Sequence, residues 1–358
     1  MLKYITHKVV YSFLVFNGII AILFLLFNII PVNSARMTMG QRTDALSVAQ
    51  MEKEFRLDLP SWKRYLLYLN DISPISYHKN EANSHLFLDT KMYEVYLKVD
   101  LGCCTIALKK PFLGTSYQNG KPVIQLIKSK LLSTFIMAIF ATLFGAIIGI
   151  LLGIWAALKK NTWIDNAILV IINLGISQPS YFSAMILLLV LVNMLGHITH
   201  LNFTGSLIEL DDYGDKVFVW KNLIIPVLAL GVRPISIISQ LTRSTMLDVM
   251  GQDFIRTAKA KGLSQNKVIF KHTLRNVLTP VATSVTGWFA SLLAGAMFVE
   301  EVLHCNGLGS LTVNALRSFD IPVVMGCVLY IAFVFVIVNI LTDFLYAYLD
   351  PRVKVAGK

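Results

Sequence analysis

Six stretches of the chain stay apolar for long enough to cross a bilayer, whose hydrocarbon core takes roughly 20 residues of helix. They run Val9 to Ile30, Leu131 to Leu158, Asn166 to Gly196, Asn222 to Thr242, Val277 to Val299 and Ile321 to Thr342, and only the fourth carries a charge, Arg233. The third stretch contains Ser177-Gln178-Pro179 and reads either as two short spans or as one long helix kinked at the proline. One kinked helix keeps the basic segments on its two flanks compatible with a single orientation, so it is the reading adopted. The first stretch is longer than the 7–15 apolar residues of a secretory signal core, and is expected to be a retained helix. Trp155, Trp163, Trp220, Tyr346 and Tyr348 lie at span ends, where interfacial aromatic belts form. Between Tyr93 and Val99 the period changes to two, the pattern of a short strand or hairpin.

Composition agrees with a membrane solvent. The 358 residues are 55% hydrophobic and 15% charged, with a mean hydropathy of +0.64, against about 25% charged in soluble domains. The formal net charge of +11 could signal nucleic acid, but its distribution points elsewhere. With the N-terminus inside, 14 Lys/Arg fall in cytoplasmic pieces and three, Lys216, Lys221 and Arg317, in the short outer loops. The segment Pro31 to Lys128 exceeds the length over which that rule operates and reads as a long external region. Both termini are therefore expected in the cytoplasm, in a multi-pass inner (plasma) membrane protein. The resulting division is 1–30 for the cytoplasmic N-terminus and first helix, 31–128 external, 129–349 membrane core, and 350–358 cytoplasmic tail.

Two patterns suggest what the helices do. Ala141, Gly145, Gly149, Gly153 and Ala157 recur at every fourth position of the second stretch, a small-residue stripe that lets helix backbones approach closely in lipid. Packing within the subunit is the simpler reading, and a subunit or gating contact the other. After the fourth stretch, Arg243 to Asn276 turns basic and amphipathic, with seven Lys/Arg and two Asp. Phe254, Thr257, Ala258 and Lys261 fall at helical spacing, Gly262 can end the helix with a positive φ, and Ser264 can cap the next. A lipid-bound amphipathic helix carries bulky apolar residues; Thr257, Ala258, Ala260 and Gly262 are small and suit insertion into a protein groove.

The run Asp253-Phe-Ile-Arg-Thr-Ala-Lys-Ala-Lys-Gly262-Leu-Ser, continuing through Lys271-His272-Thr-Leu-Arg275-Asn276 to Pro280, resembles the cytoplasmic EAA loop of ABC importer permeases, in the form of the dipeptide/oligopeptide/nickel group. Phe55-Arg-Leu-Asp58-Leu-Pro60, Tyr65 to Leu69, Leu113-Gly-Thr-Ser116-Tyr, Lys121-Pro122-Val, Val299-Glu300-Glu301, Asn306-Gly-Leu-Gly309, Asp320-Ile-Pro322-Val, Asn339-Ile-Leu-Thr-Asp343 and Asp350-Pro351-Arg352 follow the family pattern in order. Only about Asn70 to Lys110 departs from it, a stretch that could dock a binding protein or be an ordered cap or an insert. Arg275 stands where the broader pattern has proline, and the Asn306 variant is similar to permeases of microcin-C-type peptide importers.

The resemblance implies an all-α integral membrane protein with six transmembrane helices, the type I permease fold, and a long external segment after the first helix. It implies a coupling loop at 248–276, with Arg256, Thr257, Ala258, Ala260, Gly262 and Leu263 as the residues that engage an ATPase. It further implies a second permease subunit in a heterodimer, two cytoplasmic ATPase subunits holding ATP and Mg, and an external substrate-binding protein. This chain itself is expected to bind no cofactor, no metal and no nucleic acid, and to carry no catalytic residue. Asn119-Gly120-Lys121-Pro122 lacks the spacing and hydroxyl residue of a phosphate loop, in keeping with hydrolysis on another chain. Peptides are the expected substrate, with nickel, glutathione and microcin-C-like peptides as alternatives within the family. A self-contained ion-coupled secondary transporter and a membrane-anchored receptor are the rivals outside it.

Arg233 is costly at membrane depth and usually faces a bundle interior or a water-filled cavity. It could line the translocation path, pair structurally, or snorkel. Gln240 and Ser284 are the polar span residues placed with it on the path; most such residues hydrogen-bond between helices. His197-x-x-His200 with His304-Cys305 is a weak metal pattern, and a disulfide from Cys103 or Cys104 to Cys305 is compatible with an oxidising exterior.

Overall fold

The computed structural model describes residues 2–29, 56, 59–80, 84, 86–88, 93–203, 205–210 and 213–349. Residues 31–55, with Phe55, Leu57 and Asp58, and the tail 350–358, with Asp350-Pro351-Arg352, lie outside the described residues. The chain divides into two compact units, residues 1–16, 130–311 and 331–358 in the first and 17–129 and 312–330 in the second. In chain order the main helices are α1 (Leu2–Ile29), α2 (Ser61–Ile72), α3 (Val123–Leu158), α4 (Trp163–Ser177), α5 (Ser180–Leu187), α6 (Lys221–Met250), α7 (Asp253–Ala260), α8 (Leu274–Gly295), α9 (Met297–Val302), α10 (Leu308–Arg317) and α11 (Ile321–Leu349). The chain is mostly rather than wholly helical. The expected all-α class is corrected by a three-stranded sheet, β1 (Ile75–Lys79), β2 (Val95–Asp100) and β3 (Cys104–Lys109), and by a hairpin, β4 (Ile208–Leu210) and β5 (Lys216–Phe218).

Among the described residues, α1, α3, α6 and α11 are each long and apolar enough to cross a membrane. The expected single kinked helix over Asn166 to Gly196 is corrected: α4 and the segment Ser180–Met194 meet at 109°. Gln178 has ψ 135° and Pro179 ψ 139°, both extended, as required where a proline excludes its predecessor from the helical region and removes a backbone donor. Further on, Leu188–Met194 widens to a π-helix. Counted as one broken span, the pair brings the spans that length and composition support to five.

The first unit is organised around α6. Gly145, Gly149 and Gly153 on α3 meet Pro234, Ile238 and Thr242 on α6, each four residues on from the last. A Cβ on Gly149 would lie 2.9 Å from the Ile238 Cβ and 3.0 Å from the Ile235 carbonyl oxygen; one on Gly153 would lie 2.6 Å from the Ser239 oxygen. The backbones therefore touch, and the Ser239 hydroxyl donates to the Gly149 carbonyl at 3.0 Å. Of the two readings of the small-residue stripe, packing within the chain is the one realised. On its other sides α6 packs against α4, α5 and α8. Arg243 of α6 forms a two-pronged ion pair with Asp165 of α4, both bonds 2.7 Å, with Asp165 1% exposed.

In the second unit the sheet order is β1-β3-β2, all antiparallel, with Tyr77 opposite Ile106 and Val99 opposite Ile106. Ser76, His78, Thr105, Ala107 and Lys109 point to the buried face. Asp71 of α2 draws the polar residues together, accepting from Arg56 at 2.9 Å and from the Tyr93 hydroxyl at 2.8 Å, with the Lys109 ammonium 4.0 Å away. Asp320 accepts from the Ser116 hydroxyl and, at 3.0 Å, from the Tyr117 amide, tying the chain before α3 to the start of α11.

Gly149→Leu is expected to destabilise the protein by about 3 kcal/mol, since the helices cannot part without losing the contacts on both flanks. Gly287→Leu on α8, where a Cβ would meet nothing within 4 Å, leaves the thermal unfolding midpoint in detergent unchanged. Equal midpoints for the two variants would contradict the packing described.

Candidate functional site

Helix α7 begins right after α6, with Asp253 in its first turn and Lys259 in its last, each complementing the helix dipole. It ends in a Schellman turn: the Leu263 amide donates to the Ala258 carbonyl at 3.4 Å and the Gly262 amide to Lys259 at 2.9 Å, with Gly262 at φ +74°. Gly262 thus takes the positive φ expected of it, which costs any other L-residue about 1–2 kcal/mol. Ser264 takes the N-cap position of the next turn, but without a side-chain capping bond; its backbone carbonyl accepts from Val268 at 3.0 Å.

The faces of α7 sort the expected coupling residues. Ile255 and Ala258 are buried in a core with Met246 and Val249 of α6, Val268 and Ile269 of the following π-helical turn, and Val277 and Val281 of α8. Ala258 therefore seats the helix on its own chain and lies on its inner face; Leu263 is half-buried beside it. Arg256, Thr257, Ala260 and Gly262 are exposed, joined by Phe254 and by Phe270 at 63% exposure. Phe270 had no sequence signal beyond its being an aromatic in a basic run. The Arg256 pair with Asp253, 3.4 Å long and exposed on both sides, contributes little.

A second group lies deeper. Arg233 and Gln240, two turns apart, share an exposed face of α6, and Ser284 on α8 is half-buried one turn from Trp288. The Arg233 guanidinium sits 5.9 Å from the centre of the Trp288 ring, within cation–π range. Among the described residues it has no acidic partner. Gly287 and Ser291 are also exposed on α8, so the surface around Arg233 is lined by polar and small residues.

The third feature is a buried latch. Glu300 on α9 is fully buried; one oxygen accepts from the Thr134 hydroxyl of α3 at 2.6 Å, the other from the Gly309 and Ser310 amides at 2.6 and 3.1 Å. The carboxylate caps the first turn of α10, and Thr134 accepts in turn from the Leu308 amide at 2.8 Å. A Cβ on Gly307 or Gly309 would run into the Glu300 carboxyl group, which explains the spacing Asn306-Gly-Leu-Gly309. Burial pushes the Glu300 carboxyl up to about 7, against the pull of its three hydrogen bonds. Among the described residues no three His, Cys, Asp or Glu side chains come together as metal ligands, and all four cysteines are free.

The profile of the family described as "Binding-protein-dependent transport system inner membrane component" matches residues 149–355, and that of its N-terminal component matches residues 1–86. The chain belongs to this family. The dipeptide transport system permease protein DppB of Alkalihalophilus pseudofirmus is 31% identical over 99% of this chain and 100% of its own length. DppB of Escherichia coli is 29% identical over 99% of both chains, and DppB of Haemophilus influenzae 35% over 67% of this chain and 76% of its own. The inward-facing MetNI methionine ABC transporter has a chain that superposes with a TM-score of 0.51, covering 63% of this chain and 97% of that one at 16% identity, and so shares the fold. The chain is a multi-pass inner-membrane transport subunit, and the ion-coupled carrier is not favoured.

Because the folded state holds the Glu300 proton to higher pH than the unfolded chain, its contribution to stability is complete below about pH 4.5 and declines as the pH rises through 7. The thermal midpoint is expected to fall over that window, and Glu300→Gln to flatten the fall. Glu300→Ala strands three donors and costs at least about 3 kcal/mol. A wild-type profile identical to that of Glu300→Gln would refute the role of burial.

Proposed function

We propose that this chain is a permease subunit of an ATP-driven importer of di- or oligopeptides, working by alternating access. It would pair with a second, non-identical permease, receive substrate from an external binding protein, and be driven by two cytoplasmic ATPases that hold ATP and Mg. The observation that carries the reading is α7: a short helix whose inner face is fixed into the core shared by α6 and α8, while Phe254, Arg256, Thr257, Ala260 and Phe270 are left exposed. Exposed aromatics among small and basic residues suit a groove in a partner protein. Movement of that partner would pass directly to α6 and α8.

The full-length identity to dipeptide permeases supports a peptide cargo, with nickel, glutathione and microcin-C-like peptides as the alternatives within the family. The termini, the basic loop and α7 are assigned to the cytoplasm by the distribution of Lys and Arg, and the three-stranded sheet to the opposite side. Arg233, Gln240 and Ser284 are assigned to the translocation path. There the guanidinium, held over Trp288 without an acidic partner, would attract a peptide carboxylate.

Ala260→Trp enlarges the exposed face of α7 without touching its buried one. The expected result is at least a tenfold loss of co-purifying ATPase, about 1.4 kcal/mol, and of transport-coupled ATP hydrolysis, with the permease melting unchanged. A variant that assembles and transports like wild type would overturn the coupling assignment.

A further inference from the structure

A cavity of about 220 Å³ lies within the second unit, lined by Phe24 and Phe27 of α1, Arg64 and Tyr68 of α2, and Pro322 and Met325 of α11. Its height is set by the two long helices. Phe27 lies in the last turn of α1, which runs to Ile29, and α11 begins at Ile321, so the cavity sits where hydrocarbon gives way to headgroups. Packing of Phe24 against Tyr65, ring centres 5.1 Å apart, and against Tyr68 at 6.1 Å holds α2 to the end of α1 at this level.

Its polar groups are left incomplete. Arg56 and Asp71, also on the wall, neutralise each other in an ion pair of 2.9 Å. Arg64 has no acidic partner among the described residues; burial lowers its pKa, with the Tyr117 phenol on the same wall pulling the other way. One turn along the same face of α2, the Tyr68 hydroxyl is shut off from solvent with no hydrogen-bond partner, an arrangement that costs about 1–3 kcal/mol when left unfilled. A cation and a hydroxyl donor converge over an apolar floor of Phe24, Phe27, Pro322 and Met325.

We propose that this cavity binds the anionic headgroup of a phospholipid from the leaflet on the side of the three-stranded sheet. The phosphodiester accepts from Arg64 and from the Tyr68 hydroxyl, and the glycerol end lies on the phenylalanines. The net charge of the wall is +1, from Arg56, Arg64 and Asp71, which matches a singly charged phosphatidylglycerol better than a zwitterionic lipid whose ammonium would meet a second cation. The volume admits a headgroup but not acyl chains, which remain in the bilayer beside α1.

The test is native mass spectrometry of the full chain isolated in mild detergent with its accompanying subunits, supplied with phosphatidylglycerol or phosphatidylcholine. Wild type is expected to retain phosphatidylglycerol in preference, and Arg64→Gln to lose it by about tenfold, the size of one charge-assisted hydrogen bond. Tyr68→Phe, which keeps the packing against Phe24, should lose less, and Arg64→Lys should recover part of the binding. Equal retention of the two lipids by wild type, or undiminished retention by both Arg64→Gln and Tyr68→Phe, would overturn the proposal. Displacement of the lipid by millimolar inorganic phosphate would assign the cavity to a free oxyanion and overturn it as well.

Discussion

The contact on which the first unit depends is the backbone approach of α3 to α6. In a bilayer, burying apolar side chains between helices gains little, because lipid tails are as apolar as leucine. Proximity has to come from removing side chains, and Gly145, Gly149 and Gly153 do so at three successive turns facing Pro234, Ile238 and Thr242. Once α6 is fixed in this way its remaining faces are available to α4, α5 and α8. The ion pair of Arg243 with Asp165 then fixes the register of α4 against it. Neither residue could be replaced alone without stranding the other charge, a loss typically of about 3–5 kcal/mol when such a pair is buried.

Buried carboxylates perform a related task at chain reversals. Glu300 and Asp320 each accept from a backbone amide and a hydroxyl distant in sequence, Glu300 reaching Thr134 on α3 and Asp320 reaching Ser116 and Tyr117. A reversal near the membrane surface has few neighbouring amides to satisfy its own, and a carboxylate with two acceptor oxygens serves several at once. The glycines beside Glu300 leave room for the carboxyl group. The Asn306-Gly-Leu-Gly309 run is thus the negative image of a side chain six residues upstream.

Much of this was legible in sequence because it rests on local rules. The four-residue period of small residues, the positive φ at Gly262 and the alternation from Tyr93 to Val99 each follow from the geometry of one element. What could not be read is tertiary. Nothing local distinguishes a 109° break at Pro179 from an ordinary kink, since proline permits both and the packing of α5 on α6 decides. Asp165 lies at a span edge, where an acid is unremarkable until Arg243 is seen to reach it. Ala258 is small both for a groove and for a tight core, and only the positions of Met246 and Val277 show that it faces inward. The described part of the departure at Asn70 to Lys110 holds the three-stranded sheet, with a polar inner face organised by Asp71, an arrangement that reverses the usual pattern and so defeats a reading by hydrophobicity.

Helix α7 is seated by Ile255 and Ala258 in a core shared with α6 and α8, which would make it move with α6 as one body and carry a push on its exposed face to α6. Double electron–electron resonance between spin labels at Lys259 on α7 and Ser244 on α6, both exposed, in a Cys103→Ser background, measures this directly. The same distance distribution in the nucleotide-free and ATP-bound complex is the predicted result. A shift or broadening on ATP binding would mean that α7 moves independently of α6, and would contradict the account.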